Sequence, residues 1–233
     1  SPCRGRVKLF ITGISGLLGH SAARLTSERF EVCGCYVNSP VSMEGIHTLK
    51  LDVTNKPAAE KALGNLKPDV ILHTAAMTNV DGCETNPSAA YQTNVVAAKN
   101  IASIASDLGC KLVHISTDQL FDGTGAWKTE EDVPAPPNVY AQTKGLAEAV
   151  VFEECAGALV VRTNFFGWGR PTRTSFSDWV LRGLEQGQKL TMFSDVFFTP
   201  ILINHLVDVI VSLVERGATG LFHVAGAERL SKY

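Results

Sequence analysis

The run Val7-Lys-Leu-Phe-Ile-Thr12 stops at a glycine, and a helical pattern over residues 17–27 begins almost at once, with glycines at 13, 16 and 19. A short apolar run read as a buried strand, a tight turn and a helix in immediate succession leave few folds open to the chain. The alternation then repeats. Strands are predicted over residues 31–37, 47–51, 70–74, 111–116, 158–163, 190–193 and 220–224, and helices over 56–66, 88–106, 140–154, 176–186 and 204–215. A further helix is expected to start at Ala227. Strands alternating with helices predict an α/β protein with a doubly wound parallel sheet covered on both faces. No repeat or low-complexity linker interrupts the pattern. The longest loop signal, residues 122–138 with Gly123, Gly125, Pro134, Pro136 and Pro137, ends directly before Tyr140.

Composition narrows the functional classes. With 233 residues, 45% hydrophobic and 19% charged, the chain can bury a sizeable core, or a large domain and a small lobe. A net charge of -2 gives no electrostatic footprint for nucleic acid, and no apolar run nears the roughly 20 residues that span a bilayer. Neither nucleic acid nor membrane is expected as a partner. Six cysteines lack paired metal spacing, and the histidines form no ligand cluster, so reduced thiols, no metal site and a cytoplasmic location are the expectation. Residues 1–6 are basic but lead straight into a strand without an apolar leader, and the absent initiator Met suggests a processed or excised chain.

Gly13-Ile-Ser-Gly16-Leu-Leu-Gly19 lies where a dinucleotide-binding turn belongs. Its glycines permit the tight turn and close approach of backbone to pyrophosphate, and the helix N-terminus offers unpaired N–H groups to an anion. Tyr140 and Lys144, four residues apart, share a helix face, so phenol and ammonium can meet at one target. A nearby positive charge favours the phenolate, and a tuned tyrosine can pass a proton to or from a substrate oxygen. In isolation the pair reads as an exposed Tyr and a solvated Lys. Ser116 and Thr117 offer hydroxyls at the carboxyl edge of the fifth strand, where ligands of open parallel sheets collect; alone, they read as turn or cap residues.

The G-x-x-G-x-x-G spacing with a downstream Tyr-x-x-x-Lys resembles the extended short-chain dehydrogenase/reductase family. Three further runs, Val70-Ile-Leu-His-Thr-Ala-Ala-Met-Thr-Asn-Val-Asp81, His114-Ile-Ser-Thr-Asp-Gln-Leu-Phe-Asp-Gly123 and Pro137-Asn-Val-Tyr-Ala-Gln-Thr-Lys144, are similar to those of dTDP-4-dehydrorhamnose reductases. The likeness runs from Val7 to Tyr233. It implies a Rossmann-type sheet, with an NAD(P)-binding domain over residues 1–165. A partial C-terminal substrate lobe over 166–233 would be interleaved with the last Rossmann elements. It further implies an NAD(P)H-dependent reductase of a keto group on a nucleotide-linked sugar, with a homo-oligomer or a partner enzyme possible.

By that resemblance Tyr140 is the proton donor, Lys144 holds the nicotinamide ribose and depresses the tyrosine pKa, and Thr117 bonds the substrate oxygen or the phenol. Gly13, Gly16, Leu17, Leu18 and Gly19 lie along the pyrophosphate, Asp52 and Val53 by the adenine, and Thr74, Ala75 and Ala76 beneath the ribose and phosphates. Asp52 reads equally as a cap for the helix that follows. Ser116, Asp118, Asn164, Phe165 and Phe197 are candidates for substrate contact. The end of the second strand, Tyr36-Val-Asn-Ser39, lacks the acid of NAD-selective sites, so a 2′-phosphate is not repelled and the cofactor leans toward NADP(H) over NAD(H), although no Arg or Lys is there to bind that phosphate.

Three features depart from the family pattern. Gln119 stands where an aromatic is usual, Ala141 where Gly is common, and Asp195-Val-Phe-Phe-Thr-Pro200 replaces a smaller, more polar segment. The reductases also continue for several elements beyond the point where this chain stops. Two alternatives follow: an epimerase or dehydratase of sugar nucleotides on the same fold, and a non-catalytic regulatory subunit resembling the beta subunit of methionine adenosyltransferase.

Overall fold

A computed structural model of the chain describes residues 5–170 and 174–231. In chain order the first half comprises β1 (Lys8–Thr12), α1 (Leu17–Thr26), β2 (Glu31–Tyr36), β3 (His47–Lys50), α2 (Lys56–Leu66), β4 (Val70–His73), α3 (Val80–Thr85), α4 (Pro87–Tyr91), a π turn (Gln92–Val96) and α5 (Ala97–Leu108). The second half comprises β5 (Lys111–Thr117), α6 (Val139–Glu154), β6 (Leu159–Thr163), β7 (Phe165–Phe166), α7 (Phe176–Glu185), β8 (Phe197–Phe198), β9 (Ile201–Leu202), α8 (Ile203–Glu215), β10 (Gly220–Val224) and β11 (Leu230–Ser231).

Seven strands form one sheet in the order β10-β6-β5-β4-β1-β2-β3, and every pairing in it is parallel. Alternate side chains leave opposite faces of a strand. Leu9 and Ile11 therefore pack with α1 and α8, while Phe10 enters the core beneath α2, α5 and α6. The sheet is Rossmann-like, with helices on both faces. Chain direction across it reverses at β1, which has β2 on one side and β4 on the other, and a crevice opens at the carboxyl ends of strands at such a point.

Local chemistry fixes the helix starts. Asn55 accepts the Ala58 N–H at 3.1 Å at the head of α2, Asn79 the Gly82 N–H at 2.7 Å before α3, and Asn138 the Ala141 N–H at 2.8 Å before α6. α7 opens with a capping box between Ser175 and Asp178.

Four expectations are corrected. The helix predicted over 88–106 is broken into α4, the π turn and α5, because Asn94 within the turn is drawn inward to accept the Met77 N–H at 2.7 Å and to donate to the Thr143 hydroxyl at 3.0 Å. Residues 190–193 form no strand; Leu190 packs against Gly183 of α7, where an added Cβ would come within 2.5 Å of it. The helix expected from Ala227 is replaced by Leu230–Ser231, which pairs antiparallel with Phe197–Phe198. Asp52 does not cap α2; its carboxylate takes the Thr54 N–H and hydroxyl, and Asn55 makes the cap.

Cys33, Cys35, Cys83, Cys110 and Cys155 are free thiols, and burial pushes Cys35 up to about 12; Cys3 lies outside the described residues. Among the described residues no helix is long and apolar enough to cross a membrane.

Toward the carboxyl ends of β4 and β5 this apolar core gives way to a polar layer. His73 and His114 sit opposite each other in β4 and β5, fully buried, with ring centroids 5.3 Å apart. Burial, followed by the charge of Lys144, lowers the His73 pKa to about 3 and holds His114 well below its ordinary value. Below pH 6.5 the unfolded chain binds protons that the folded one refuses, so the stability carried by the neutral rings is lost as pH falls from 6.5 toward 3. The slope is about 1.4 kcal/mol per pH unit for each ring. His73→Asn should flatten the decline of the urea midpoint between pH 6.5 and 4.5 by roughly one histidine's share. Parallel declines for the wild type and the variant would contradict this account.

Candidate active site

The crevice at the β1/β4 ends is a cleft of about 570 Å³, within the range of small-molecule and cofactor sites. Its lining brings together Gly13, Gly16, Leu17, Leu18 and Gly19 from the first turn, Thr74, Ala75 and Ala76 after β4, Ser116, Thr117 and Asp118 at the end of β5, Tyr140 and Lys144 on α6, and Asn164 and Phe165 after β6. Those predicted residues thus converge on one surface from five separate stretches of chain.

Asp52, Val53 and Phe197 are not part of this wall. Val53 is buried in the core and its carbonyl accepts from Asn100 at 3.0 Å. Phe197 lies on the small β8–β11 ribbon with the Arg229 guanidinium 3.8 Å over its ring. Val37, Asn38 and Ser39, read as the end of the second strand, line the cleft as well, and sequence reasoning gave no role to Ser15, Thr78, Thr93, Thr174 or Ser175, which also line it.

The glycine turn is built by backbone-to-backbone contact. Gly13 has φ +67°, and a Cβ there would come within 2.9 Å of the Ala75 Cα; a Cβ on Gly19 would lie 2.4 Å from the Gly13 carbonyl oxygen. No side chain caps α1, whose N-cap is Gly16, so its first turn presents backbone N–H groups and the positive end of the helix dipole to the cleft.

Thr12 ties this turn to β4. Its hydroxyl oxygen accepts the Thr74 and Ala75 N–H groups at 3.1 and 3.2 Å and lies 2.7 Å from His73 Nδ1. An oxygen already accepting two N–H bonds has its proton left to give, so His73 Nδ1 is the acceptor and Nε2 carries the hydrogen.

At the other end of the cleft, Tyr140 is 8% exposed and Lys144 3%. Glu84 accepts the Val139 N–H at 2.7 Å, which with the Asn138 cap fixes the first turn of α6 and hence the direction of the phenol. Burial raises the Tyr140 pKa above 10, against a hydrogen bond from Thr117 that lowers it. The expected depression by Lys144 is not found, because the Lys144 Nζ donates to the Ile115 carbonyl at 2.7 Å and desolvation dominates the phenol. Burial lowers Lys144 itself to about 8, with Glu148 pulling in the opposite direction. At neutral pH the site therefore holds a protonated phenol, a hydroxyl and a buried ammonium around the carboxyl end of β5.

A buried phenol and a buried lysine one turn apart on α6, opposite a glycine turn at the switch point of a parallel sheet, define a short-chain dehydrogenase/reductase-like site on a Rossmann-type fold. Residues 7–233 match the model described as the RmlD substrate binding domain, and the chain belongs to that family within the extended short-chain dehydrogenases/reductases. It is 32% identical over 222 residues to the probable low-salt glycan biosynthesis reductase Agl14 of Haloferax volcanii, covering 93% of this chain and 73% of that protein. It is 30% identical over 246 residues to the methionine adenosyltransferase 2 subunit beta of Rattus norvegicus, covering 97% and 69%. Among solved structures, a hypothetical dTDP-4-dehydrorhamnose reductase from Sulfolobus tokodaii superposes with a TM-score of 0.87 at 36% identity, covering 97% of this chain and 79% of that one. The dTDP-4-dehydrorhamnose reductase of Bacillus anthracis, solved in complex with NADP, superposes with a TM-score of 0.86 at 27% identity, covering 98% and 78%.

Gly19→Ala should force the turn open and cost about 1–3 kcal/mol, as overpacking against fixed backbone does. Gly64→Ala in α2, where an added Cβ meets nothing within 4 Å, should be neutral or stabilising by up to ~1 kcal/mol. Urea titration of both variants checks the pair. Equal effects would mean that close approach at Gly19 is not what holds the turn.

Proposed function

We propose that this protein is a nicotinamide-dependent reductase of a keto group on a nucleotide-linked sugar, with NADPH preferred over NADH. The observation that carries the proposal is the convergence of the Tyr140 phenol, the Thr117 hydroxyl and the Lys144 ammonium at one end of a cleft whose other end is an uncapped helix N-terminus. The fit to a dinucleotide rests on that uncapped end and on the small residues 74–76, past which a cofactor backbone can lie. Val37, Asn38 and Ser39 at the ribose end of the cleft include no acid to repel a 2′-phosphate. In this reading residues 1–165 supply the cofactor half, and residues 166–233 the substrate side, interleaved with α8 and β10 of the main fold.

A dihydronicotinamide held along the glycine turn and residues 74–76 would supply hydride to the carbonyl carbon. Tyr140, raised by burial and therefore protonated at neutral pH, gives its proton to the substrate oxygen. Thr117 donates to the oxygen of Tyr140 as negative charge grows on it, and the Lys144 ammonium stabilises that charge from the cleft floor. Asn164 and Asp118, joined by hydrogen bonds of 3.1 and 3.3 Å, stand beside the phenol as polar contacts for the sugar.

Tyr140→Phe should lower turnover by roughly 10²–10⁴-fold, the usual range for a removed acid, with NADPH affinity unchanged. Single-turnover NADPH oxidation with dTDP-, UDP- and GDP-linked keto sugars measures it, and unaltered oxidation by the variant would sink the mechanism. Stoichiometric loss of NADPH separates a reductase from an epimerase.

A second reading is a regulatory subunit that binds without turnover. It is favoured by the likeness across 97% of the chain to the methionine adenosyltransferase beta subunit. A stable complex with a partner enzyme, together with no turnover on the sugar panel, would establish it instead.

A further inference from the structure

One turn beyond Lys144 on the same face of α6 lies Glu148, a buried carboxylate to which the sequence drew no attention. Glu148 is 6% exposed and Arg162 of β6 is 5% exposed. Arg162 donates from Nε to Oε1 at 2.9 Å and from Nη2 to Oε2 at 2.7 Å, a two-point pairing that fixes the carboxylate in plane and rotation. The Ser116 hydroxyl donates to Oε1 as a third anchor. Ser116 itself lines the cleft, beside Thr117. The far side of Arg162 is held as well: Nη1 lies 3.3 Å from His223 Nε2, and its Cζ stands 5.6 Å over the Phe121 ring.

This cluster lies where a core of this kind has no need of charge. A buried ion pair contributes little net stability compared with apolar residues of the same shape, so stability alone is a weak account of it. Its position gives a better one. The spacing 140, 144, 148 puts phenol, ammonium and carboxylate on one helix stripe. The carboxylate is pinned to the two strands, β5 and β6, whose ends carry Thr117 and Asn164. Rotation or sliding of α6 relative to the sheet would break three charge-assisted hydrogen bonds together.

The Glu148 charge also favours the Lys144 ammonium, against the burial that disfavours it. His73 on β4 and His114 on β5, both neutral, feel the same ammonium; Arg162 on β6 lies beyond Glu148, and Asp118 past the end of β5 acts on Tyr140, one turn away on α6.

We propose that Glu148, clamped by Arg162 and Ser116, is a positioning residue for the site: it seats the α6 face that presents Tyr140 and keeps the Lys144 side chain charged at the cleft floor. The assignment of a role to that charge rests on the reductase reading, whereas the positioning itself can be tested without cofactor.

The experiment follows the ¹³Cε resonance of Lys144 in the cofactor-free protein from pH 6 to 11, assigned by its loss in Lys144→Arg. Cooperative urea unfolding serves as the check that each variant is folded. The wild type should titrate near about 8. Glu148→Gln keeps the shape and the acceptor but removes the charge, and its midpoint should fall by a unit or more. In Glu148→Gln/Arg162→Gln, which removes both partners of the ion pair and so leaves no unpaired guanidinium, the midpoint should fall in the same direction by less. An unchanged Lys144 midpoint in whichever variant is folded would overturn the proposal, since a purely structural Glu148 would alter stability and leave the titration where it was. NADPH binding by the same samples reports separately on the functional reading. A wild type that titrates as expected but binds no nicotinamide refutes the reductase assignment and leaves the positioning role standing.

Discussion

The junction of the β1 and β4 ends governs much of what this molecule can do. Thr12 closes it: one hydroxyl accepts two backbone N–H groups from the residues after β4 and gives its proton to His73, while the Thr74 hydroxyl donates back to the Thr12 carbonyl at 2.7 Å. These bonds hold the stretch after β4 so near the first turn that only glycine fits at position 13. The floor of the cleft is the product of that closeness. A side chain in the turn would separate β1 from the β4 end and place bulk where the uncapped start of α1 now meets the opening.

A second constraint acts on the opposite wall. Where most helices of the fold seat on apolar residues, the end of α6 that carries Tyr140 and Lys144 rests on a polar layer made by His73, His114, Ser116 and Arg162, with Asn94 bridging Met77 and Thr143 nearby. Apolar packing is tolerant of small slides because it has no direction. Hydrogen bonds between buried groups lose their full value when misaligned, since no water replaces the partner. A polar seat therefore fixes the height and rotation of Tyr140 and Lys144 more tightly than a greasy one could.

The network also reaches the long loop before α6. With Arg162 able only to donate, His223 Nε2 must accept, so its Nδ1–H is turned to the Lys128 carbonyl at 3.1 Å. The backbone N–H of His223, on the sheet's edge strand, is taken by Glu130 at 2.6 Å. Residues 122–138 are thus fastened to β10 as well as to the strand they leave and the helix they enter. The loop that delivers the chain to Tyr140 is part of the rigid frame at these points.

Local sequence pattern determined the element order, the strand-turn-helix start and the Tyr140–Lys144 stripe, because apolar periodicity, glycine placement and helical spacing act over a few residues. It did not reveal the break at Asn94, the pairing of Leu230–Ser231 with Phe197–Phe198, or the absence of a strand at 190–193, each decided by a partner distant along the chain. Asp52 and Val53 fell outside the cleft for a similar reason: a short local bond to Thr54 and burial against Asn100 took them elsewhere. The direction of the tyrosine shift was beyond local reading too, since spacing places a lysine near a phenol but only the folded environment sets how far each is stripped of water. What tertiary structure alone decided is therefore the electrostatics of the site. Glu148, Arg162 and Ser116 come from three separate elements, and a charge cluster exists as a physical object only once α6 has been laid across β5 and β6.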